Sequence, residues 1–121
     1  MFLNISNHPM TKWAAEQLAA ARELGNGMIE YIQFPNVPPT ATTEEVCEIA
    51  KRLVSQIIET NPTPGVAMVQ GEFTLTYELS RRLMGLGWTV VVATTERKVV
   101  EGEGGTKTAT FEFIQFRALR N

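Results

Sequence analysis

The sequence predicts one α/β domain over residues 1–121, with a mainly parallel sheet of strand order 2-1-3-4 and a C-terminal antiparallel β-hairpin. Strand-like apolar runs alternate with helix-like segments three times, and a further apolar run follows the third helix. This alternation implies right-handed crossovers between parallel strands, because that connection packs each helix back onto the sheet. The length of 121 residues suits one domain with one core.

The first half of the chain predicts two strands, each followed by a helix. The first strand is short and buried, and its Ala-rich helix ends at a Gly-Asn-Gly turn. The second strand mixes apolar residues with Glu30 and Gln33, which suggests a sheet edge. A Pro-rich loop cannot be helical, and the helix after it has apolar residues at three-four spacing. The predicted elements are strand Met1–Ser6, a helix from Thr11 or Lys12 to Leu24, strand Met28–Phe34, loop Pro35–Pro39, and a helix capped by Thr42 or Thr43 and stopped by Asn61–Gly65.

The second half predicts two fully buried strands around a helix, and then a hairpin. Continuous apolar runs are typical of strands covered on both faces. In the last strand, Phe111 and Phe113 share one face while Ile114 and Phe116 point to the other, which predicts a bulge or two covered faces. The predicted elements are strand Val66–Val69, a helix capped by Thr74 and ending at Gly85–Gly87, strand Trp88–Ala93, and a hairpin of Lys98–Glu101, Gly102–Gly105 and Thr108–Phe116.

Composition narrows the classes of partner. The formal net charge of −2 argues against a broad grip on long nucleic acid, which needs a basic face. Cys47 is the only cysteine, so no intrachain disulfide forms, and its glutamate neighbours disfavour a reactive thiolate. The start of the chain lacks the pattern of a signal peptide, and no segment is apolar enough for a bilayer. We therefore expect a cytoplasmic protein without a membrane partner.

Polar residues gather in three short runs, each directly after a predicted strand. These runs are Asn7-His8-Pro9, Gly71-Glu72-Phe73-Thr74 and Thr94-Thr95-Glu96-Arg97. The carboxyl ends of parallel strands meet at one edge of a sheet, and open α/β sheets bind ligands at that edge. We therefore expect the three runs to share one site, centred on a crevice between the first and third strands.

Each candidate has both a chemical and a structural interpretation. Beside a phosphate or a ribose hydroxyl, His8 could exchange a proton near neutral pH, or it could merely tie down its loop together with Asn7. Gly71 permits close approach of a ligand or simply a tight turn. Glu72 could order a ribose hydroxyl or water, or sit favourably at a helix start. Thr74 is expected to cap first and to contact ligand second.

The third run combines hydroxyls with a cation. Thr94 and Thr95 could add hydrogen bonds to a ligand, and Arg97 could grip a phosphate with a fork of donors. Lys107, after the glycine turn, could swing towards the same edge. Alternatively, Glu96 pairs with Arg97 or its neighbour, an exposed ion pair of little worth.

Several familiar sites are absent from the sequence. There is no GxGxxG or GxxxxGK[ST] loop, so ordinary dinucleotide and P-loop sites lose support. No Gly-x-Ser-x-Gly elbow supports a serine hydrolase. No His, Asp and Glu spacing resembles a metal site, so we expect neither metal nor cofactor. Catalysis, if present, would rest on positioning and charge stabilisation.

The segments Phe2–Pro9, Gln70–Thr74 and Ala93–Arg97, closed by Phe111–Arg117, resemble small stand-alone CRISPR-associated accessory proteins of type III systems. These CARF-like proteins are similar to CARF sensor domains, and some are ring nucleases. The resemblance covers nearly the whole chain. It implies a Rossmann-like three-layer sandwich that binds a cyclic oligoadenylate at the carboxyl edge of its sheet, usually across a two-fold homodimer.

The resemblance also implies roles for the polar runs. In ring nucleases a ribose 2′-hydroxyl is aligned for attack on its own phosphodiester, and no metal is needed. The chain has no fused effector domain, which leaves a degrading or sequestering role. The candidate catalytic residues are His8, Glu72 and Arg97. The candidate ligand-binding residues are Asn7, Gly71, Thr74, Thr94, Thr95 and Lys107.

Four functions stay open on the sequence. The first is a metal-independent phosphodiesterase acting on a cyclic oligonucleotide, and the second is a protein that binds the nucleotide without cleaving it. The third is a nucleoside-processing enzyme in which Glu72 attacks a ribosyl carbon. The fourth is a structural or partner-binding domain with an empty crevice.

Overall fold

The structure is a computed structural model that describes residues 1–121. Its single sheet has the strand order β2-β1-β3-β4-β5, in which the first four strands are parallel and β5 is antiparallel to β4. The α/β class, the mainly parallel sheet and the terminal hairpin are therefore confirmed. The elements are β1 (Phe2–Ser6), α1 (Ala15–Leu24), β2 (Ile29–Gln33), α2 (Thr43–Thr60), β3 (Val66–Gln70), α3 (Phe73–Gly85), β4 (Thr89–Glu101) and β5 (Lys107–Ala118).

The central strand β1 is buried on both faces because helices cover both sides of the sheet. Side chains alternate along a strand, so Leu3 and Ile5 point to one side and Phe2 to the other. Leu3 and Ile5 belong to the larger core cluster, which includes the buried faces of α2 and α3. Phe2 packs in the smaller cluster with Ala21 of α1. The helices after β1 and β3 therefore lie on opposite faces of the sheet.

Two helices begin differently from the sequence prediction. Met10–Lys12 forms a single 3-10 turn and Trp13 is extended, so α1 begins at Ala15 rather than at Thr11 or Lys12. For α2, Thr42 is the cap as predicted, and it forms a capping box with Glu45. For α3, the cap is Glu72 and not Thr74, because the longer carboxylate reaches the free amides of the first turn.

The largest difference from the prediction is the length of β4. It pairs with β3 only over Thr89–Val91, and beyond that point it continues as a strand paired with β5 alone. Where the β3 ladder stops, Gln70 Oε1 accepts a hydrogen bond from the Ala93 amide at 2.6 Å. Thr94–Arg97 is therefore strand rather than the expected loop. We call the two-stranded extension, residues 92–101 and 107–117, the ribbon.

A β-bulge reshapes the ribbon, which is one of the two alternatives that the sequence left open. Thr94 pairs with Gln115 but Thr95 pairs with Phe113, which leaves Ile114 as the extra residue. The extra residue brings Phe113 and Phe116 together, with ring centroids 4.9 Å apart. The expectation that these two rings point to opposite faces was therefore wrong, because the bulge shifts the alternation by one residue.

None of the helices has the features of a membrane-spanning segment. The longest, α2, has 18 residues and carries a charged outer face. None of the helices combines the length and the apolar character needed to cross a bilayer.

Candidate functional site

An open hollow of about 550 Å³ lies at the carboxyl ends of β1, β2 and β3. It lies beside the point where β1 and β3 send their connections to opposite faces, the place where open α/β sheets bind ligands. Two residues predicted for the site, Asn7 and Glu72, line it. The remaining lining residues come from the end of β2 and its loop, and they are Gln33, Phe34, Pro35, Asn36 and Val37.

A buried polar network holds the loop after β1. Asn4 and Ser6 are fully buried, and the Ser6 hydroxyl donates to Asn4 Oδ1 at 2.6 Å. The His8 carbonyl accepts from Asn4 Nδ2 at 2.8 Å and from the Trp13 indole at 3.1 Å. The His8 amide in turn donates to Ser6 Oγ at 3.1 Å. Because buried polar groups need partners, these contacts fix the backbone of the loop.

The network uses the backbone of His8 and leaves its side chain free. His8 is exposed, and its imidazole makes no hydrogen bond within the chain. The neighbouring Asn7 instead has a structural contact, because its Oδ1 accepts from Gln33 Nε2 at 2.8 Å. The predicted loop-tying role therefore falls on the backbone of His8 and on Asn7. The imidazole stays available to a ligand.

Sequence reasoning missed the two residues that anchor this loop. Asn4 and Ser6 are two residues apart in β1, so both point to the face that also carries Phe2. The signal was present, since two polar residues at i and i+2 interrupt an otherwise apolar buried strand. Such residues must find partners, and the following loop supplies them.

The Glu72 carboxylate is engaged by the first turn of α3. It accepts from the amides of Thr74 at 3.1 Å and Leu75 at 2.9 Å, and from the Thr74 hydroxyl at 2.7–2.8 Å. The Thr74 hydroxyl, followed by the two amides, lowers the pKa of Glu72 below its ordinary value of 4.5. The carboxylate is thus ionised near neutral pH and occupied by donors, which suits a cap better than a general base.

Gly71 has a steric role that concerns the fold. A Cβ placed there would lie 2.5 Å from three ring atoms of Phe34, which is buried in the larger core. Contacts that short force a displacement of the ring or the backbone. The group that closely approaches Gly71 is therefore the ring of Phe34, and the approach of a ligand to Gly71 stays a prediction.

The ribbon carries the remaining predicted residues away from the hollow. Arg97 lies four residues beyond Ala93 along β4, so its Cα is displaced by roughly 13 Å from that of Ala93. Lys107 lies at the far end of β5, opposite Glu101. Thr94 donates its hydroxyl to the Gln115 carbonyl at 3.2 Å. The hollow brings together Asn7 and Glu72, and its lining includes neither Arg97 nor His8.

Glu96 does not form the ion pair with Arg97 or Lys98 that the sequence offered as an alternative. Lys98 pairs with Glu112 across the strands at 3.0 Å, and Glu96 has no cation within 4 Å. Both members of the pair are about half exposed, so the pair adds little stability. Arg97 is likewise without a carboxylate partner and remains free to meet an anion.

Metal-binding groups do not cluster anywhere in the structure. No three His, Cys, Asp or Glu side chains are placed to hold one ion. The chemistry available near the hollow is therefore that of an imidazole, amides and an ionised carboxylate, with cations further out on the ribbon.

Comparison with known proteins places the chain in a family. No curated protein matches it. The model of the family described as "Uncharacterized protein MJ1673 family" matches residues 1–117, nearly the whole chain. The match includes the hollow, the loop after β1 and all of the ribbon. The chain therefore belongs to the uncharacterized protein MJ1673 family.

Proposed function

We propose that this protein is a CARF-like, Rossmann-like ring nuclease that binds a cyclic oligoadenylate and cleaves it without a metal ion, in type III CRISPR antiviral signalling. The observation that carries the proposal is the open hollow at the carboxyl edge of the sheet, with an unpaired imidazole on the adjoining loop. That edge is the expected ligand position for such a sheet. The imidazole supplies a group that can act as a general base or general acid.

The proposed reaction is an internal transesterification. A ribose 2′-oxygen attacks the adjacent phosphorus, the O2′–P bond forms, and the P–O5′ bond breaks. The 2′-hydroxyl loses its proton to the His8 imidazole, and the departing 5′-oxygen takes up a proton from water or from the imidazolium. The products are linear, with a 2′,3′-cyclic phosphate and a 5′-hydroxyl. Alignment of the attacking oxygen supplies most of the rate in such a step.

Cations on the ribbon support binding of a phosphodiester ring. Arg97 is free of carboxylates, and Lys107 makes no ion pair within 4 Å. A guanidinium presents two parallel donors to a phosphate, and both side chains are exposed. They are local charges on a chain of net charge −2, which suits a small anionic ligand better than a long nucleic acid.

A second candidate function is binding of the same ligand without cleavage. The occupied carboxylate of Glu72 favours it, because Glu72 then serves the helix and is not available as an acid or base for cleavage. The same observation argues against the nucleoside-processing alternative. A nucleophilic carboxylate needs a free lone pair directed at the ribosyl carbon, and both oxygens of Glu72 already accept hydrogen bonds.

The test incubates purified protein with cyclic oligoadenylates of several ring sizes in excess EDTA, followed by chromatography of the products. Linear products ending in a 2′,3′-cyclic phosphate are expected. Tight binding with the ring recovered intact would replace the first function by the second. A melting temperature that no cyclic or linear oligoadenylate raises would exclude both, because a ligand of the folded state stabilises it by mass action.

The proposal includes a homodimer and a cytoplasmic location, the latter because the proposed role lies in type III CRISPR signalling. The ribbon supports the dimer. Phe111 is 68% exposed and shares a face with Val99, which is also exposed. A two-stranded ribbon is marginally stable when it stands alone in water, so a cover for this face would stabilise it. A second copy can supply that cover by a self-complementary contact.

A further inference from the structure

The first turns of α3 expose two aromatic side chains on one face. Phe73 is 82% exposed, more than any other large apolar side chain in the chain, and Tyr77 is 58% exposed. Residues four apart on a helix are neighbours, so the two side chains lie on the same face of α3. Neither ring packs in the core clusters. Neighbouring exposed apolar side chains can mark a binding site.

The two rings border a second hollow, between the N-terminal ends of α2 and α3. Its volume is about 260 Å³, and we call it the aromatic slot. Besides the rings it has hydroxyls on two sides and one carboxylate. The lining residues are Ala41, Thr43, Val46, Phe73, Thr74, Tyr77 and Glu78.

Size and position favour part of a nucleotide as the occupant. Pockets for whole drug-sized ligands measure about 300–1,000 Å³, so the aromatic slot suits a smaller group. Phe73 follows Glu72 directly, and Glu72 lines the hollow at the sheet edge. A ligand whose sugar and phosphate lie at that edge can therefore place a base on the rings. Exposed aromatic rings bind nucleobases by stacking, because every base has a π-face.

The slot is lined by one carboxylate, that of Glu78. Glu78 Oε2 accepts from Arg81 at 2.7 Å and lies 3.4 Å from Arg82 Nε. The Arg81 guanidinium lowers the pKa of Glu78, so the carboxylate is charged near neutral pH. An ionised carboxylate can only accept hydrogen bonds. It therefore favours a base that carries an exocyclic amine over one with a carbonyl in that place.

We infer that the aromatic slot binds an amino-bearing purine base, stacked on Phe73 and Tyr77 with its amine towards Glu78. This inference rests on the proposed function, since the sugar and phosphate of that nucleotide would occupy the neighbouring hollow. The sequence predicted contacts only to the phosphate and ribose groups of a ligand. The aromatic slot adds a site for its base.

The first experiment titrates adenosine 5′-monophosphate into the ¹⁵N-labelled protein and follows the backbone amides by NMR. The amides of Phe73–Glu78 are expected to shift with adenosine monophosphate, less with inosine monophosphate, and not with ribose 5-phosphate. Equal shifts with all three compounds would show that the base does not bind in the slot. Shifts confined to the loop after β1 would do the same.

The second experiment separates stacking from apolar area by mutation. Phe73→Ala should weaken binding of adenosine monophosphate by roughly five- to 150-fold, the range for loss of one base–aromatic stack. Phe73→Trp should keep the affinity, and quenching of its exposed indole should report the bound base. Met28→Ala is the matched control, because it removes a 58% exposed apolar side chain at the amino end of β2. Equal losses in the two alanine variants would overturn the inference.

The outcomes distinguish the slot from the proposed function. If cyclic oligoadenylate binds and Phe73→Ala leaves its affinity unchanged, the slot fails and the function stands. If adenosine monophosphate shifts the slot amides while no oligoadenylate binds, the slot stands and the function fails. A change of oligomeric state in Phe73→Ala, without loss of nucleotide affinity, would assign the rings to a contact between copies and overturn the inference.

Discussion

Replacing Glu72 tests whether this carboxylate belongs to the fold or to the reaction. In the structure it accepts two backbone amides and one hydroxyl at the start of α3. We expect Glu72→Ala to destabilise the protein because the amides of the first turn lose their acceptor. We expect Glu72→Asp to retain most of the stability, since aspartate is among the preferred cap residues.

The size of the effect follows from the contacts. Loss of a side-chain cap costs about 1 kcal/mol, and loss of a favourable charge at a helix start costs about 0.3–1 kcal/mol. The side chain is exposed, so screening by solvent and salt keeps the charge contribution at its lower end. The sum is about 1.3 kcal/mol. For a chain of this length it corresponds to a fall of roughly 5 °C in melting temperature.

Urea denaturation followed by circular dichroism measures the free energy of unfolding, and the same samples are assayed for cleavage and binding. Glu44→Ala is the matched control, because Glu44 also lies in the first turn of a helix but its side chain makes no hydrogen bond. It should cost less than half as much as Glu72→Ala. An unchanged free energy of unfolding in Glu72→Ala, together with lost cleavage, would refute the capping role.

The capping role also has a pH signature. The folded-state pKa of Glu72 is depressed, so its stabilisation is fully present above the unfolded value, near 4.5. That stabilisation is lost as the pH falls through the folded-state pKa. The difference in unfolding free energy between the native protein and Glu72→Gln should therefore be largest near neutral pH and shrink below pH 4.5. A difference that persists at low pH would show that the charge is not its source.

The remaining predictions concern other residues of the edge and the ribbon. Gly71→Ala should destabilise the protein by about 1–3 kcal/mol in urea denaturation, because the new methyl group meets Phe34, and Phe34→Leu should recover part of the loss; an unchanged midpoint would contradict the steric role. His8→Ala should abolish linear products while its melting temperature and ligand affinity stay unchanged, and retained turnover would remove the imidazole from the reaction. Phe111→Glu should lower the sedimentation coefficient to that of a monomer, whereas an unchanged dimer would place the interface elsewhere.

Much of the fold was predictable because burial leaves a clear pattern. Val66–Val69 and Trp88–Ala93 are continuous apolar runs, and the structure places strands at both. The three-four spacing of α2 and the capping role of Thr42 were also readable from the sequence. These features depend on local propensity and on alternation, which a single sequence records directly.

The ribbon was harder to predict because most of its residues are exposed on both faces. Thr94–Arg97 looked like a loop since the apolar run ends at Ala93. Strand structure nevertheless continues, because every residue there pairs with β5 and not with the core. Strands that are exposed and pair only with each other show little apolar alternation in the sequence. The displacement of Arg97 from the hollow follows from this pairing and could not be read from the sequence.

Some side chains at the edge of the sheet have a structural partner within the fold, and others do not. Asn7, Gly71 and Glu72 each have a structural partner, so a substitution there changes stability and function together. The His8 imidazole and the Phe73 ring have none, although rigid neighbours hold their backbones. A free side chain on a fixed backbone is the arrangement that a preorganised binding site requires, and its removal costs little stability. Substitutions at these two positions therefore report on ligand chemistry most directly.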